Sequence, residues 1–333
     1  MSGSSIAYHL RQNKAIERNL FIELLARVGR VRNISEYEYI GFGGPLLEDY
    51  KALHAALRMK RMHSIERVEN TFKRQKFNRP ATFVKLHHKD SADFFRQHQF
   101  HDKGTVVWLD YTSPGDLNEQ LIEFQQVVSD LDCYDVAKIT LNADPSGLGF
   151  KDAKPSDMQE KRLEKLKGTI PEFVPVDLKA IDLTAANYPH TLQRCVQKCV
   201  AALSARASSR YFHILSSFSY KDGQQMLTVT GMVFEAKDDP NVAKFTAQSR
   251  IKHWPFANLD WAAPASISVP ALSAKERIRL DGCLPLGKLP DERLAKRLHK
   301  QLGYVPGDPK DMAELGNYAR YYRAYPHFSR VIL

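Results

Sequence analysis

Glycine and acidic residues stand where predicted strands end in the first part of the chain. The turn 41–44, with the sequence GFGG, follows the first predicted strand, and its glycines let backbone N–H groups approach a ligand closely. Glu66 ends the second predicted strand, where a carboxylate can bind ribose hydroxyls bidentately. Asp90 and Asp110 follow the third and fourth strands. Counted from Gly44, the successive spacings are 22, 24 and 20 residues, which favours one ligand site built from four strand ends.

The elements that position these residues alternate between strand and helix from residue 37 to residue 142. The central predicted strands are short, apolar and β-branched, as is typical of strands buried on both faces. This alternation predicts a Rossmann-like, doubly wound and mostly parallel α/β sheet. The predicted strands are 38–42, 62–66, 82–87, 104–110 and 136–142, and the predicted helices are 6–29, 46–57, 70–77, 90–97 and 118–131.

The pattern changes in the second half of the chain. A charged insertion over about 150–190 contains a predicted helix, 151–168, and a further helix is predicted over 185–205. The strands 211–220 and 226–235 flank the turn Lys221-Asp222-Gly223-Gln224, so the sheet is expected to end in an antiparallel hairpin.

These changes in composition predict three parts. Residues 1–35 form an N-terminal helical cap, residues 36–245 the α/β domain, and residues 246–333 a small helical appendage with helices near 274–280 and 291–302. Aromatic side chains of the tail are expected to form the core of the appendage: Tyr318, Tyr321, Tyr322, Tyr325 and Phe328.

Residues 37–235 resemble a class I S-adenosylmethionine-dependent methyltransferase. The turn 41–44 is similar to the first motif of that family, Glu66 to its ribose-binding acid and Asp90 to its adenine-binding acid. Asp110 and Tyr111 match the catalytic position after the fourth strand. The terminal hairpin separates the family from ordinary Rossmann dehydrogenases. The whole chain is also similar to bacterial O-methyltransferases of unassigned substrate.

This resemblance implies S-adenosylmethionine as the cofactor and a set of site residues. Asp110 would take a proton from a hydroxyl acceptor, directly or through a water, and Tyr111 would line the acceptor pocket. The acceptor itself is left open between a small hydroxyl compound, RNA and protein. The implied cofactor-binding residues are Gly41, Phe42, Gly43, Gly44, Glu66, Arg67, Asp90, Ser91, Ala92 and Asp110.

The sequence departs from the family pattern at three places. Tyr39 stands where the family usually has an acid, with Glu38 one place earlier, and Pro45 occupies the third glycine-like position. The segment 110–114 reads DYTSP and not the proline-proline-aromatic form of methyltransferases that act on nucleic-acid amino groups, so O-methylation is favoured. Cys133 is the one cysteine near strands four and five, which leaves pyrimidine methylation by a cysteine nucleophile unsupported.

A magnesium site is a weaker expectation. Asp110 and Asp144 match two aspartates of metal-dependent catechol-type O-methyltransferases, and oxygen ligands suit Mg²⁺. Pro145 replaces the asparagine of those enzymes, however, and Asn142 lies two residues before Asp144. The alternative is a simple turn at the end of the strand. The twelve histidines show no HxxxH or HExxH spacing, and His87 with His88 is interpreted as a strand end and not as a metal site.

Composition restricts the class of protein. The apolar fraction of 43% and the charged fraction of 26% exclude global disorder and a collagen-like chain. Four scattered cysteines give no disulfide framework, and Cys195 and Cys199 are expected in the core of a helix. No stretch approaches the length of a transmembrane helix and no apolar segment follows residues 1–5, so a cytoplasmic location is expected.

The net charge of +10 leaves other functions open. Basic clusters with nearby aromatic residues can bind nucleic acid through phosphates and base stacking. The alternative to an enzyme is therefore a non-catalytic nucleic-acid-binding or sensor protein on the same fold, and an NAD-dependent oxidoreductase is a weaker one. The basic residues concerned are Arg11, Lys14, Arg18, Arg27, Arg30 and Arg32, then Arg58, Lys60, Arg61, Arg67, Lys73, Arg74, Lys76 and Arg79, and in the tail Arg320, Arg323 and Arg330.

Overall fold

The apolar runs between residues 37 and 142 form five strands close to the predicted positions. The computed structural model describes residues 11–205, 210–287, 289–308 and 311–326. Every residue of the first and fifth strands is buried, as expected for strands covered on both faces. The five strands are β1 Glu38–Gly41, β2 Arg61–Glu66, β3 Val84–His88, β4 Thr105–Asp110 and β5 Val136–Asn142.

The antiparallel hairpin forms as predicted. It consists of β6 Tyr211–Asp222 and β7 Gln224–Phe234, and a short strand β8 covers Ala265–Ile267. The described residues form a sheet of eight strands in the order β3-β2-β1-β4-β5-β7-β6-β8. The pairs among β1 to β5 are parallel and β7 is antiparallel to β5, which confirms the predicted fold class.

The hairpin turn is tighter than the four-residue turn predicted over 221–224. Only Gly223 separates β6 from β7, and its φ of +102° lies in the left-handed region that glycine adopts without strain. Both strands therefore extend further toward the turn than the sequence pattern indicated.

Helices connect the strands on both faces of the sheet. Two of them were not predicted, α8 and α11, and α6 begins four residues later than expected because Pro155 occupies its first turn. Residues 6–10 of the first predicted helix lie outside the described residues. The helices are α1 Gln12–Val28, α2 Glu48–Leu57, α3 Glu69–Asn78, α4 Ser91–Gln97, α5 Leu117–Asp130, α6 Pro155–Thr169, α7 Tyr188–Ala201, α8 Pro240–Ser249, α9 Ala274–Asp281, α10 Asp291–Leu302 and α11 Met312–Tyr321.

The chain divides into two compact units. The larger comprises residues 22–219 and 224–265, and its core joins the sheet to α5 and α7. Cys195 and Cys199 are fully buried in this core, as predicted. The domain boundaries at residues 35 and 245 remain predictions. Side chains of α5 and α7 in this core include Leu121, Phe124, Val128, Leu192 and Val196.

The smaller unit comprises residues 11–21, 220–223 and 266–326 of the described chain. Its core contains three of the expected tail aromatics, because Tyr318, Tyr321 and Tyr325 are buried, whereas Tyr322 is only half-buried. The hydroxyl of Tyr318 donates a hydrogen bond to Asp281. Phe328 and Arg330 lie outside the described residues. None of the helices in the described parts of the chain is long and apolar enough to cross a membrane.

Candidate active site at the carboxyl edge of the sheet

The glycine turn after β1 is shaped by close packing. A Cβ on Gly43 would lie 2.3 Å from Leu47 Cδ2 and 2.6 Å from Ser64 Oγ, so a side chain there would force these neighbours to move. Gly44 adopts a φ of +51°, and Leu47, just before α2, adopts a φ of +53°. The turn thus leads directly into α2, and the close approach of its backbone N–H groups to a ligand stays a prediction.

Helix α3 fixes the carbonyl groups of this turn. The buried Gln75 amide donates a 3.0 Å hydrogen bond to the Gly44 carbonyl and accepts one of 3.2 Å from the Ser64 hydroxyl. Asn78 donates a 2.9 Å hydrogen bond to the carbonyl of Pro45. Two amide side chains of one helix therefore set the path of the turn, which limits its freedom when a ligand binds.

Glu66 ends β2 next to this turn, since Gly41 and Ser64 are partners in the β1–β2 register. Its Oε1 accepts a 2.7 Å hydrogen bond from the backbone N–H of Val68, and the carboxyl is half-buried. Burial raises the pKa of Glu66, and hydrogen bonds from the backbone of Val68 and Arg67 oppose that rise. Arg67 is exposed. The carboxylate is held in place by the backbone and can accept further hydrogen bonds.

Asp90 follows β3 and caps α4. Its Oδ1 accepts a 3.0 Å hydrogen bond from the backbone N–H of Ala92, and its side chain is exposed. Aspartate is a favoured N-cap because its carboxylate binds otherwise unpaired N–H groups of the first turn. The cap uses one carboxylate oxygen, and the second can accept a hydrogen bond from a ligand. Ser91 begins the helix itself.

Tyr111, directly after β4, forms a hydrogen bond with Glu123, a residue that was not predicted to belong to the site. Its hydroxyl donates a 2.6 Å hydrogen bond to Glu123 Oε2 on α5. Its ring meets Phe42 of the glycine turn edge to face, with 5.4 Å between centroids. Burial, followed by the charge of Glu123, raises the pKa of Tyr111 well above its ordinary value. Tyr111 is therefore a hydrogen-bond donor and an apolar wall, and not a phenolate.

Glu123 joins this group to the start of α4. Burial raises its pKa, while the nearby Ser91 hydroxyl and the hydrogen bond from Tyr111 lower it and the charge of Asp90 raises it further. Phe42, Asp90, Ser91, Tyr111 and Glu123 thus lie together, although they come from four segments of the chain.

A family model described as "Putative O-methyltransferase" matches residues 6–333. The chain belongs to this family. The resemblance predicted from the strand ends and the hairpin is thereby confirmed at the level of the family, and the chain is a methyltransferase by membership. No curated protein matches the sequence.

Solved structures of methyltransferases are more distant. The N-methyltransferase NodS from Bradyrhizobium japonicum WM9 is 9% identical, with 65% of this chain and 96% of that chain covered and a TM-score of 0.37. The O-methyltransferase TomG from Streptomyces achromogenes, solved in complex with SAM, is 13% identical, with 66% and 79% covered and a TM-score of 0.34.

The end of β5 in this O-methyltransferase family member is fixed by its own polar groups. The Asn142 amide donates 3.2 Å hydrogen bonds to the Thr112 carbonyl and to Gln224 Oε1. Asp144 Oδ1 accepts a 2.9 Å hydrogen bond from the backbone N–H of Ser146 and so caps a short 3-10 helix. This supports the turn interpretation of the segment, and a magnesium ion at Asp110 and Asp144 stays a prediction.

The loop after β4 is anchored from both sides. Besides Asn142, Gln120 of α5 donates a 2.8 Å hydrogen bond to the Ser113 carbonyl. A Cβ on Gly147 would lie 2.6 Å from Pro114, so the loops after β4 and β5 touch. Asp110 is half-buried at the end of β4, where the first of these anchored loops begins.

Proposed function

We propose that the protein is an S-adenosylmethionine-dependent O-methyltransferase whose cofactor binds at the carboxyl ends of β1 to β4. The observation that carries this proposal is the meeting of Phe42, Tyr111 and Glu123 beside Asp90, next to a glycine turn that is closely packed at Gly43. Ligands of open α/β sheets bind outside the carboxyl ends of the strands. Family membership supports methyl transfer as the reaction.

The residues present fit this cofactor. The turn 41–44 would bring backbone N–H groups to its amino-acid part, and Glu66 would accept hydrogen bonds from the ribose hydroxyls. Asp90 and the segment Ser91–Ala92 would contact the adenine, whose amino group is a hydrogen-bond donor. Phe42 would supply apolar surface at this edge of the site, against the ring of Tyr111.

The cofactor supplies a methyl group already activated on a sulfonium, so the protein contributes mainly alignment and the exclusion of water. Asp110 would accept the proton of a hydroxyl acceptor. Tyr111, kept protonated by burial and held by Glu123, would form the wall against which the acceptor packs.

Calorimetry tests the cofactor site without knowledge of the acceptor. S-adenosylhomocysteine is expected to bind the wild type with micromolar affinity, and NAD is not expected to bind. Glu66→Gln should weaken binding about 5- to 100-fold, the equivalent of about 1–3 kcal/mol. Glu69→Gln is the matched control, because Glu69 is an exposed glutamate on α3 paired with Lys73. Binding of NAD in place of S-adenosylhomocysteine would reject the proposal in favour of an oxidoreductase.

A second candidate function is nucleic-acid binding at the exposed face of α3. Phe77 is 91% exposed, so its ring is accessible to a ligand. With Lys73, Arg74 and Leu46 it lines a shallow cavity of about 440 Å³. An aromatic ring between cationic side chains can stack on a base while the cations bind phosphates.

Fluorescence anisotropy with single-stranded RNA tests this candidate. Binding should weaken steeply with salt, and Phe77→Ala should weaken it at least about fivefold through lost stacking. Phe150→Ala is the control, because Phe150 is exposed on a different cavity. Binding that is insensitive to salt, or equally affected by the two substitutions, would reject it.

A further inference from the structure

A buried cluster of one glutamate and three histidines lies at a different place in the sheet. Glu38 begins β1, whereas the glycine turn follows the end of that strand. Glu38 Oε1 is 3.0 Å from His63 Nε2, and Glu38 Oε2 is 2.8 Å from His98 Nε2. The side chains of Glu38, His63 and His98 are only 6%, 9% and 13% exposed. None of these residues belongs to the site proposed for methyl transfer.

A third histidine stands behind the first. His63 Nδ1 is 3.0 Å from His87 Nε2, and the two rings are nearly parallel, with 3° between their planes. Phe94 of α4 packs against the rings of His63, His87 and His98, at centroid distances between 4.7 and 6.0 Å. The polar atoms therefore face one another inside an apolar surround, where they must satisfy each other or share a cation.

We propose that Glu38, His63 and His98 bind a Zn²⁺ ion through one carboxylate oxygen and the two Nε2 atoms. These ligand atoms all lie within 4.8 Å of one another. Zinc bonds of about 2.0–2.1 Å in a tetrahedral site place neighbouring ligand atoms about 3.3 Å apart. Glu38 Oε1 is 3.0 Å from His63 Nε2 and Glu38 Oε2 is 2.8 Å from His98 Nε2, so the side chains would have to shift to place one carboxylate oxygen and both nitrogens around the ion.

The donor set also fits zinc chemically. Imidazole nitrogen suits zinc among the biological metals, and two histidines with one carboxylate is a ligand set that zinc adopts with a water in the fourth position. His98 follows α4 and is the most exposed of the three proposed ligands, at 13%. Across the described residues, this is the one group of three or more such side chains close enough to share an ion.

His87 has the properties of an outer-shell partner. His87 Nε2 lies 3.0 Å from His63 Nδ1, a distance at which it can accept a hydrogen bond from His63 Nδ1–H. With His63 Nδ1–H as the donor, His63 Nε2 would direct a lone pair toward the Glu38 carboxylate, which is the arrangement that a bound Zn²⁺ uses. A ligating histidine held by a hydrogen bond through its other nitrogen is the usual pattern in metal sites.

Glu38 supplies the negative charge. It is the carboxylate among the three proposed ligands, and its two oxygens lie 3.0 Å from His63 Nε2 and 2.8 Å from His98 Nε2. A bound ion would join β1, β2 and the segment after α4, three elements far apart in the chain, and would stabilise this side of the sheet.

The test uses the full chain, stripped of metal with a chelator and then titrated with Zn²⁺ or with Co²⁺ as a coloured substitute. One equivalent of either metal should bind per chain. Co²⁺ should give the visible absorption of a four-coordinate site, and Zn²⁺ should bleach it. Glu38→Gln and His98→Gln should each weaken Co²⁺ binding at least about tenfold, and His87→Gln should weaken it less. His54→Gln is the matched control, because His54 on α2 binds the Met59 carbonyl and lies outside the cluster.

Measurements on the wild type keep the test valid if a variant fails to fold. Zn²⁺ should raise the melting temperature of the wild type and of His54→Gln. Substoichiometric binding to the wild type with no change in melting temperature would overturn the proposal. The cluster would then be held by hydrogen bonds among its own side chains. Equal binding by the wild type and a folded His98→Gln variant would also overturn the proposal. S-adenosylhomocysteine affinity is measured in parallel and reports on the methyltransferase site independently.

Discussion

The hydroxyl of Tyr111 and the Oε2 atom of Glu123 are 2.6 Å apart, which joins the end of β4 to the middle of α5. Tyr111→Phe removes this donor, so the half-buried carboxylate of Glu123 loses the hydrogen bond. We expect the free energy of unfolding to fall by about 1–2 kcal/mol, measured by urea denaturation. The affinity for S-adenosylhomocysteine should fall as well, because Phe42 loses a fixed neighbour.

Tyr304 provides the matched control for that substitution. Its hydroxyl also donates a 2.6 Å hydrogen bond to a glutamate, Glu276, but the tyrosine is exposed. Tyr304→Phe should change stability by a few tenths of a kcal/mol, because an exposed hydrogen bond exchanges readily with water. Equal losses for the two substitutions would contradict the role given to the pair at β4.

Gly43→Ala tests the packing of the glycine turn. The added Cβ would overlap Leu47 and Ser64, so the substitution should cost about 1–3 kcal/mol of unfolding free energy. Gly168→Ala is the control, since Gly168 lies in α6 with no atom within 4 Å of an added Cβ. It should be neutral or stabilise the protein by up to about 1 kcal/mol through helix propensity. A Gly43→Ala protein as stable as the control would show that the turn can relax.

Gln75→Leu tests how the turn is held. It removes the hydrogen bonds that Gln75 makes with the partly buried Gly44 carbonyl and the buried Ser64 hydroxyl. We expect a loss of about 1–3 kcal/mol in stability and a several-fold weaker affinity for S-adenosylhomocysteine by calorimetry. Unchanged affinity in a destabilised variant would separate the stability of the turn from its role in binding.

Asp135 should make stability depend on pH. Burial raises its pKa to about 7, against the opposing hydrogen bonds from the backbone N–H groups of Asp132 and Thr105. The pKa in the folded state lies above the unfolded value of about 4, so the folded state binds this proton more tightly. The contribution of Asp135 to the free energy of unfolding is fully present below pH 4. It is lost as the pH rises through 7, and the total loss is a few kcal/mol.

Denaturation of the wild type and Asp135→Asn at pH 5 and pH 8 measures that dependence. The substituted side chain cannot ionise. The free energy of unfolding of the variant, relative to that of the wild type, should therefore rise by a few kcal/mol between pH 5 and pH 8. Asp130→Asn, an exposed aspartate at the end of α5, should show a much smaller change. A relative stability that does not move with pH would mean that Asp135 ionises normally in the folded chain.

The strand ends were predictable because they depend on local patterns. Short β-branched runs bounded by polar residues located β2 and β4, and hence Glu66 and Asp110, within one residue. Glu123 was not predictable. It lies on an amphipathic helix among other polar residues, and only the tertiary packing of α5 on the sheet distinguishes it from the exposed Glu119.

The histidine cluster was missed for a related reason. Its members stand on β2, at the end of β3 and after α4, so no spacing such as HxxxH marks them. The parallel register and Phe94 bring them together. Helix α8, by contrast, carried a readable signal, because Asp239 caps its start and Pro240 occupies its first position.

Gly43 and Gly44 of the turn differ in the substitutions that the structure tolerates at their positions. Position 43 is restricted by volume, because any side chain would enter the space of Leu47 and Ser64. Position 44 is restricted only by its backbone conformation, since an added Cβ there would meet open space. Asparagine and aspartate tolerate left-handed backbone. Viable relatives should therefore keep glycine at 43 while exchanging glycine, asparagine and aspartate at 44.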